Sequence, residues 1–399
     1  MRKKQDHHKT IIIGAGAAGL FCAWLLAKSG QPFLLLEQGG QAGRKLAISG
    51  GGHANFTNAH LASSRYLGSG QNNFCEYALG QFDSNQLLKI INSLNLHYQI
   101  KNDGQFFLRE KASLFRDRLL APVMANLCTN VRALSILREG NAFKIFCPQK
   151  IFSCEHLILA PGSPARPELA LCSDCWEILR NFDVPLIPLK PALAPLLFPE
   201  DKYRNFAALS GLSVNVEASL SNQPNAPVFK DSMLFTHFGL SGPAILNSSL
   251  YFNENSTLLI NFMPGENFEK MCDSEGAKTP SGILKNFLPS KLAEQLLPPE
   301  LQKRKCAELS RKQRQLLGRL VHASAFENLK AAGLAKAEVC AGGVNTGALN
   351  PQTMQLLKMP NLHIIGEAQN ITGQLGGYNL HWAFASAWCA ATSLYPKHF

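Results

Sequence analysis

The stretch that decides the fold covers residues 10–37 and reads TIIIGAGAAGLFCAWLLAKSGQPFLLLE. Its β-branched start, Ile11, Ile12 and Ile13, suits a strand buried on both faces of a parallel sheet. Gly14-Ala15-Gly16-Ala17-Ala18-Gly19 follows, a complete G-x-G-x-x-G, and an apolar helix-forming segment over 20–27 comes directly after it. Ser29-Gly30 ends that helix, and a second strand over 33–36 delivers Glu37 at its carboxyl end. In this geometry Gly14 permits the tight turn, Gly16 lets a pyrophosphate approach the backbone, and Gly19 lets helix and strand pack closely. The helix start offers free N–H groups and the positive end of the dipole to phosphate. Glu37, with Gln38 beside it, is placed to accept hydrogen bonds from the hydroxyls of an adenosine ribose. The glycines alone are a weak signal; strand, glycines, helix, second strand and acid in this order read as a dinucleotide site.

The continuation bears on which dinucleotide. A nicotinamide dehydrogenase would go on with alternating strands and helices, whereas this chain enters Gly39-Gly40-Gln41-Ala42-Gly43-Arg44-Lys45 and then Ser49-Gly50-Gly51-Gly52-His53-Ala54-Asn55-Phe56-Thr57-Asn58. Glycine is entropically costly to order, so this density implies backbone pressed against a ligand. Arg44 and Lys45 would supply cations near the pyrophosphate; the alternative is a flexible loop with a solvated basic pair.

The loop over 49–58 resembles that of the BaiN-type flavoproteins, NAD(P)/FAD-dependent oxidoreductases also described as aminoacetone oxidase-like. Their pattern is SGGGRCNxTN; this chain keeps Ser49, Gly50, Gly51, Gly52, Asn55, Thr57 and Asn58, but has His53 for the Arg and Ala54 for the Cys. The resemblance implies that Ser49 to Gly52, Asn55 and Thr57 lie along FAD. It extends to Thr236-His237-Phe238-Gly239-Leu240-Ser241-Gly242-Pro243, close to the family's THxGLSGP, and to a partial match at Gly104-Gln105-Phe106-Phe107. Where the family has ATGG this chain has Ala160-Pro161-Gly162, so Ala160 and Gly162 are expected beside FAD, and Val131 is grouped with them. Near the carboxyl end, Gly366-Glu367 matches a turn whose acid binds ribityl hydroxyls. Gly376-Gly377-Tyr378-Asn379 opens an apolar helix whose dipole would face the flavin pyrimidine ring.

At 399 residues and 46% hydrophobic, the chain exceeds one typical domain. The implied fold is α/β: a glutathione-reductase-type, Rossmann-like FAD-binding domain with an inserted β-rich and helical domain. FAD-domain halves are expected at 1–190 and 336–399, with an insertion at 191–335 that is β-rich over 191–265 and helical over 266–335. Within the first half, helices are expected over 73–96 and 111–127, short strands over 134–138 and 143–147, and a return strand over 157–160. Prolines at 185, 188, 191 and 195 mark the boundary as extended chain.

Eleven irregularly spaced cysteines argue for a reducing cytoplasm and against a disulfide scaffold. The C-x-x-C at Cys172 and Cys175 has no second ligand pair, so no metal site is expected. Arg2, Lys3 and Lys4 precede an apolar segment, but glycines interrupt it, and no run is long enough to span a bilayer. A soluble, unprocessed protein without membrane partners is expected. The net charge of +11 peaks at Lys303, Arg304, Lys305, Arg311, Lys312, Arg314 and Arg319. With no aromatic interleaving, a solvated helical face is favoured there over nucleic-acid binding.

The sequence therefore reads as an FAD-dependent oxidoreductase moving a hydride between flavin and a small organic substrate. No second G-x-G-x-x-G follows another strand, so NAD(P)H, as donor, would bind transiently over the flavin. A flavin-dependent RNA-modifying enzyme and a non-catalytic FAD-binding protein are the alternatives. No catalytic residue, substrate or oligomeric state is legible, and the roles of His53, His237 and Tyr378 stay open.

Overall fold

The computed structural model describes residues 5–68, 74–169, 173–200 and 202–396; Arg2, Lys3, Lys4 and Cys172 lie outside them. The chain divides into two compact units, Met1–Lys190 with Val339–Phe399, and Pro191–Glu338.

The first unit is built on a parallel sheet. Leu127–Cys128, Leu34–Leu36, Gln5–Ile13 and Ile151–Leu159 lie side by side, and Leu362–Ile364 pairs with the second half of Ile151–Leu159. Ile11, Ile12 and Ile13 face Leu157, Ile158 and Leu159 in register, and these side chains are almost wholly shielded from water. Burying each such side chain is worth about 1.5–3 kcal/mol, which explains a sequence with no polar alternation here. The antiparallel hairpin Ser135–Glu139/Ala142–Phe146 continues onto the first half of Ile151–Leu159. Return strand and last meander strand are thus one long strand, not the separate short one that 157–160 suggests.

Helix Ala17–Lys28 is buried at every position from 18 to 26. Such an all-round apolar helix needs cover on more than one side. The C-terminal helix Tyr378–Leu394 supplies it, with the rings of Phe21 and Phe384 4.8 Å apart. The single helix expected over 73–96 is two, Phe74–Gln81 and Ser84–Ser93. Asp83 stops the first and starts the second through a capping box with Gln86, both bonds 2.9 Å, while Phe82 is driven into the core and Tyr77 is left exposed. The helix expected over 111–127 ends at Leu120, because Leu127 and Cys128 are drawn into the sheet beside Leu35 and Leu36. Leu186–Ala192 carries Pro188 and Pro191 and pairs with Val339–Val344 in a two-stranded sheet, where proline's missing N–H is tolerated.

The second unit is an antiparallel seven-stranded sheet in the order Ser324–Phe326, Leu258–Asn261, Ser213–Leu220, Phe229–Thr236, Gly239–Ser241, Leu196–Leu197, Lys330–Ala331. Helices between 268 and 322 share its core, where Leu317 and Val321 join Phe235, Ile260 and Phe326. The two outermost strands come from 324–331, inside the stretch whose sequence reads as helical. Among the described residues, no helix is long and apolar enough to cross a membrane.

Candidate functional site

The loop after Gln5–Ile13 is shaped by two glycines and left open at a third. Gly14 has φ +100°, and a Cβ there would lie 2.3 Å from the Ala160 carbonyl oxygen. A Cβ on Gly19 would lie 1.9 Å from the Gly14 carbonyl oxygen. A Cβ on Gly16 would meet no protein atom within 4 Å. Gly16 is the N-cap of Ala17–Lys28, with no side-chain cap and no acid in the first turn, so no side chain of the protein caps the first N–H groups of that helix. Glu37 accepts from the Ala15 N–H at 2.8 Å and the Gly39 N–H at 2.7 Å, one bond on each carboxylate oxygen. Each oxygen keeps a lone pair for a further donor. The Val131 N–H is spent on the Glu37 carbonyl at 2.9 Å.

The two ends of the chain meet at Gly366-Glu367. Gly366 has φ +74°, and a Cβ there would press to 2.7 Å on Ala18 of helix Ala17–Lys28. Glu367 Oε1 accepts from the Ser163 hydroxyl at 2.6 Å and the Cys340 N–H at 3.2 Å. The Lys45 ammonium lies 3.8 Å from Glu367 Oε2 and donates to the Ser163 carbonyl at 3.2 Å. Lys45 is thus tied to Glu367, and Arg44 reaches the Glu168 carbonyl at 2.6 Å, so neither cation is left unengaged. Burial pushes the Cys340 thiol upward, so it stays protonated beside this carboxylate.

The loop over 44–58 begins as a short helix, Arg44–Ile48, and then turns through Gly50, Gly51 and Gly52, all at positive φ. Gly50 is held because a Cβ would lie 2.3 Å from the Asn55 nitrogen; Gly51 and Gly52 border open space. Ser49 Oγ donates to the Leu46 carbonyl. His53 is exposed, with Nδ1 3.2 Å from the Glu110 carbonyl, and Ala54 is fully buried. Strand Asn55–Asn58 then runs against the start of Tyr378–Leu394. Asn58 Nδ2 donates to the Gly376 carbonyl at 3.0 Å, and Gly377, at φ +92°, sits where a Cβ would lie 2.5 Å from the Thr57 carbonyl oxygen. Asn55 Nδ2 donates to Gln105 Oε1 at 2.7 Å, whereas its Oδ1 is buried without a partner. Like Ala17–Lys28, Tyr378–Leu394 starts with no side-chain cap and no acid in its first turn.

Some side chains expected to face a ligand are spent inside the protein. Asn379 closes on Gly373, accepting its N–H and donating to its carbonyl at 2.8 Å each. Tyr378 stands edge-on to Tyr66, whose hydroxyl donates to the Tyr378 carbonyl at 3.1 Å; burial raises both phenols, so both stay neutral. The Thr57 hydroxyl lies 2.8 Å from Nδ1 of His381. His381 is fully buried and its Nε2 faces the Phe82 carbonyl at 2.9 Å. A carbonyl only accepts, so Nε2 carries the proton and Nδ1 accepts from Thr57. Burial lowers the His381 pKa to about 4, so the ring is neutral. His381 therefore locks Asn55–Asn58 to the C-terminal helix, a role the sequence hides because a lone histidine in an apolar helix carries no motif. His237 lies in the second unit, exposed, within the turn between Phe229–Thr236 and Gly239–Ser241.

A phosphate-bearing dinucleotide fits these features: two uncapped helix starts, a clear space at Gly16, spare lone pairs on Glu37 and an unpartnered Asn55 oxygen. The HI0933-like protein Rossmann domain family matches residues 8–393. The chain belongs to that family, and so to the FAD-dependent oxidoreductases. It is 32% identical over 397 residues to the ribosomal RNA dihydrouridine synthase of Escherichia coli, covering 98% of both chains. It is likewise 32% identical over 407 residues to the enzyme of that name from Haemophilus influenzae, covering 98% of this chain and 99% of the relative. To the 3-dehydro-bile acid delta(4,6)-reductase of Clostridium scindens it is 27% identical over 409 residues, covering 95% and 97%. Among solved structures, the FrdA subunit of Escherichia coli quinol fumarate reductase shares the fold, with TM-score 0.50 and 11% identity over 99% of this chain and 71% of that one.

Proposed function

We propose that this protein is a flavin-dependent reductase of a carbonyl-conjugated carbon–carbon double bond, and that its substrate is a uridine in ribosomal RNA. The observation that carries this reading is 32% identity, over 98% of the chain, to two proteins named ribosomal RNA dihydrouridine synthase. The bile-acid relative supports the chemistry independently, because its name also describes reduction of ring double bonds. Uracil C5=C6 is conjugated to the C4 carbonyl, as the bonds of such a dienone are to theirs. A net charge of +11 suits a polyanionic substrate better than a steroid acid carrying a single carboxylate.

Once bound, FAD would supply hydride chemistry at the β-carbon, with a nicotinamide nucleotide as the source of electrons and a solvent-derived proton completing the α-carbon. The residues of this chain bind and orient that group. The open start of Ala17–Lys28, at Gly16, would take the pyrophosphate, and Glu37 the adenosine ribose. Glu367, fixed by Ser163, Lys45 and the Cys340 N–H, would accept from ribityl hydroxyls. The Gly376-Gly377 turn, held by Asn58, would direct helix N–H groups at the pyrimidine end, and Asn55 Oδ1 would take a ring N–H there. His381, neutral and bonded at both nitrogens, holds Thr57 and moves no proton. The same proposal makes 191–335 an insertion into the FAD-binding domain.

Anaerobic reoxidation tests it. Photoreduced protein is mixed with an unmodified ribosomal RNA transcript, or with a small dienone. Faster reoxidation by the RNA supports the proposal; reoxidation by the dienone alone would move the substrate to small molecules.

A further inference from the structure

We infer that the basic face of the second unit, centred on helix Arg311–His322, is a docking surface for the phosphate backbone of RNA. This rests on the RNA reading above and assigns where the polyanion binds. Residues 303–319 hold seven cations and one acid, Glu308, a net +6 that is more than half of the chain's +11. The helix is strictly two-faced: Leu317, Gly318 and Val321 are buried in the unit's core, while Arg311, Lys312, Gln315, Leu316 and Arg319 are exposed.

Packing engages Arg314 and Arg304. Arg314 lies on the side of the helix and pairs with Asp273 at 3.0 Å. Arg304 donates to the Glu308 carbonyl at 2.7 Å, which keeps that guanidinium close to the helix start. Arg311, Lys312 and Arg319 make no ion pair among the described residues. Arg311 and Lys312 also occupy the first turn, where the helix dipole disfavours positive charge, and no acid offsets them there. The helix forms despite them because Ser310 and Gln313 close a capping box and the opposite face is apolar. Cations that weaken their own helix and pair with nothing suit an external polyanion.

Arg311, Gln315 and Arg319 recur every fourth residue, a row about 12 Å long. A row of that length can follow a nucleic-acid backbone past more than one phosphate. Within the helix, Leu316 is the exposed large apolar side chain, too little for insertion into a lipid surface. The helix itself holds no Phe, Tyr or Trp for base stacking, so its contribution is phosphate contact without sequence preference.

The test uses the full-length protein, an unmodified ribosomal RNA transcript, and the triple variant R311Q/K312Q/R319Q. Binding is measured across a series of salt concentrations. Removing three phosphate contacts should flatten the slope of log K against log[salt] by about 2–3 and weaken binding at least tenfold at low salt. R311K/R319K should keep most of that slope. Flavin absorbance should match wild type, and thermal unfolding should be unchanged or slightly higher, since all three side chains are exposed and two of them oppose the helix dipole. Wild type that binds and reduces the RNA, with a triple variant of unchanged slope, would overturn the surface while leaving the substrate reading intact. Wild type that neither binds nor reduces RNA would overturn both. A triple variant that loses anionic phosphatidylglycerol vesicles rather than RNA would replace RNA with a membrane surface.

Discussion

Gly16→Val separates the fold from the cofactor more cleanly than any other substitution in the phosphate loop. Gly16 has φ −72° and ψ −168°, a conformation open to L-residues, and its Cβ would have no protein neighbour within 4 Å. The protein itself should lose only about 1 kcal/mol, the cost of a poor N-cap residue. A ligand at the helix start is affected differently. A branched side chain there would push a phosphate oxygen out of reach of the first N–H groups, each charge-assisted bond being worth roughly 1.5–3 kcal/mol. Losing two such bonds weakens FAD binding by more than about 100-fold. Titrating apo-protein with FAD by fluorescence, beside urea unfolding of the same preparations, gives both quantities. A folded Gly16→Val protein binding FAD within tenfold of wild type would refute the assignment of this helix to the pyrophosphate. Gly19→Ala is the contrasting control: its Cβ would lie 1.9 Å from a backbone oxygen, so the apo-protein itself should be damaged.

Thr57→Val removes the donor to His381 Nδ1 at constant shape and should cost about 1–3 kcal/mol in urea unfolding; an unchanged midpoint would mean the bond contributes nothing. Gly377→Ala forces a Cβ to 2.5 Å from the Thr57 carbonyl oxygen at φ +92°, costing about 1–3 kcal/mol of strain and displacing the helix start, so FAD should be held more weakly; undiminished FAD affinity would count against that helix as part of the site. His381 and His363 are buried with pKa values lowered to about 4 from 6.5, so the unfolded chain binds more protons between those pH values. Their stabilisation is complete above pH 6.5 and is lost as pH falls towards 4, about 3 kcal/mol for each histidine. A urea midpoint flat across that window would contradict their buried, neutral state.

The parallel sheet and the glycine turn after Gln5–Ile13 were readable because two constraints coincide in few residues: a strand buried on both faces, and glycines at crossings where a Cβ collides with backbone. Helix boundaries were less readable. Asp83 stops one helix and caps the next, yet a helical period runs across it because Phe82 is buried too. Residues 324–331 follow a long helical stretch and are too short to show alternation, and only pairing across the sheet makes them strands. In the candidate site, the glycine positions follow from local geometry. The Glu367–Ser163–Lys45 and Thr57–His381 connections join residues more than a hundred positions apart and carry no local pattern. The basic stretch was visible as composition, but whether its charges are paired is a property of the folded surface.

The most direct measurement is nucleoside mass spectrometry of an unmodified ribosomal RNA transcript incubated with the protein, FAD and NAD(P)H. The account predicts dihydrouridine at a defined position, dependent on both cofactors and abolished by Gly16→Val. A wild-type protein that holds FAD and consumes NAD(P)H, yet leaves every uridine intact both in the free RNA and in assembled ribosomal particles, would contradict it.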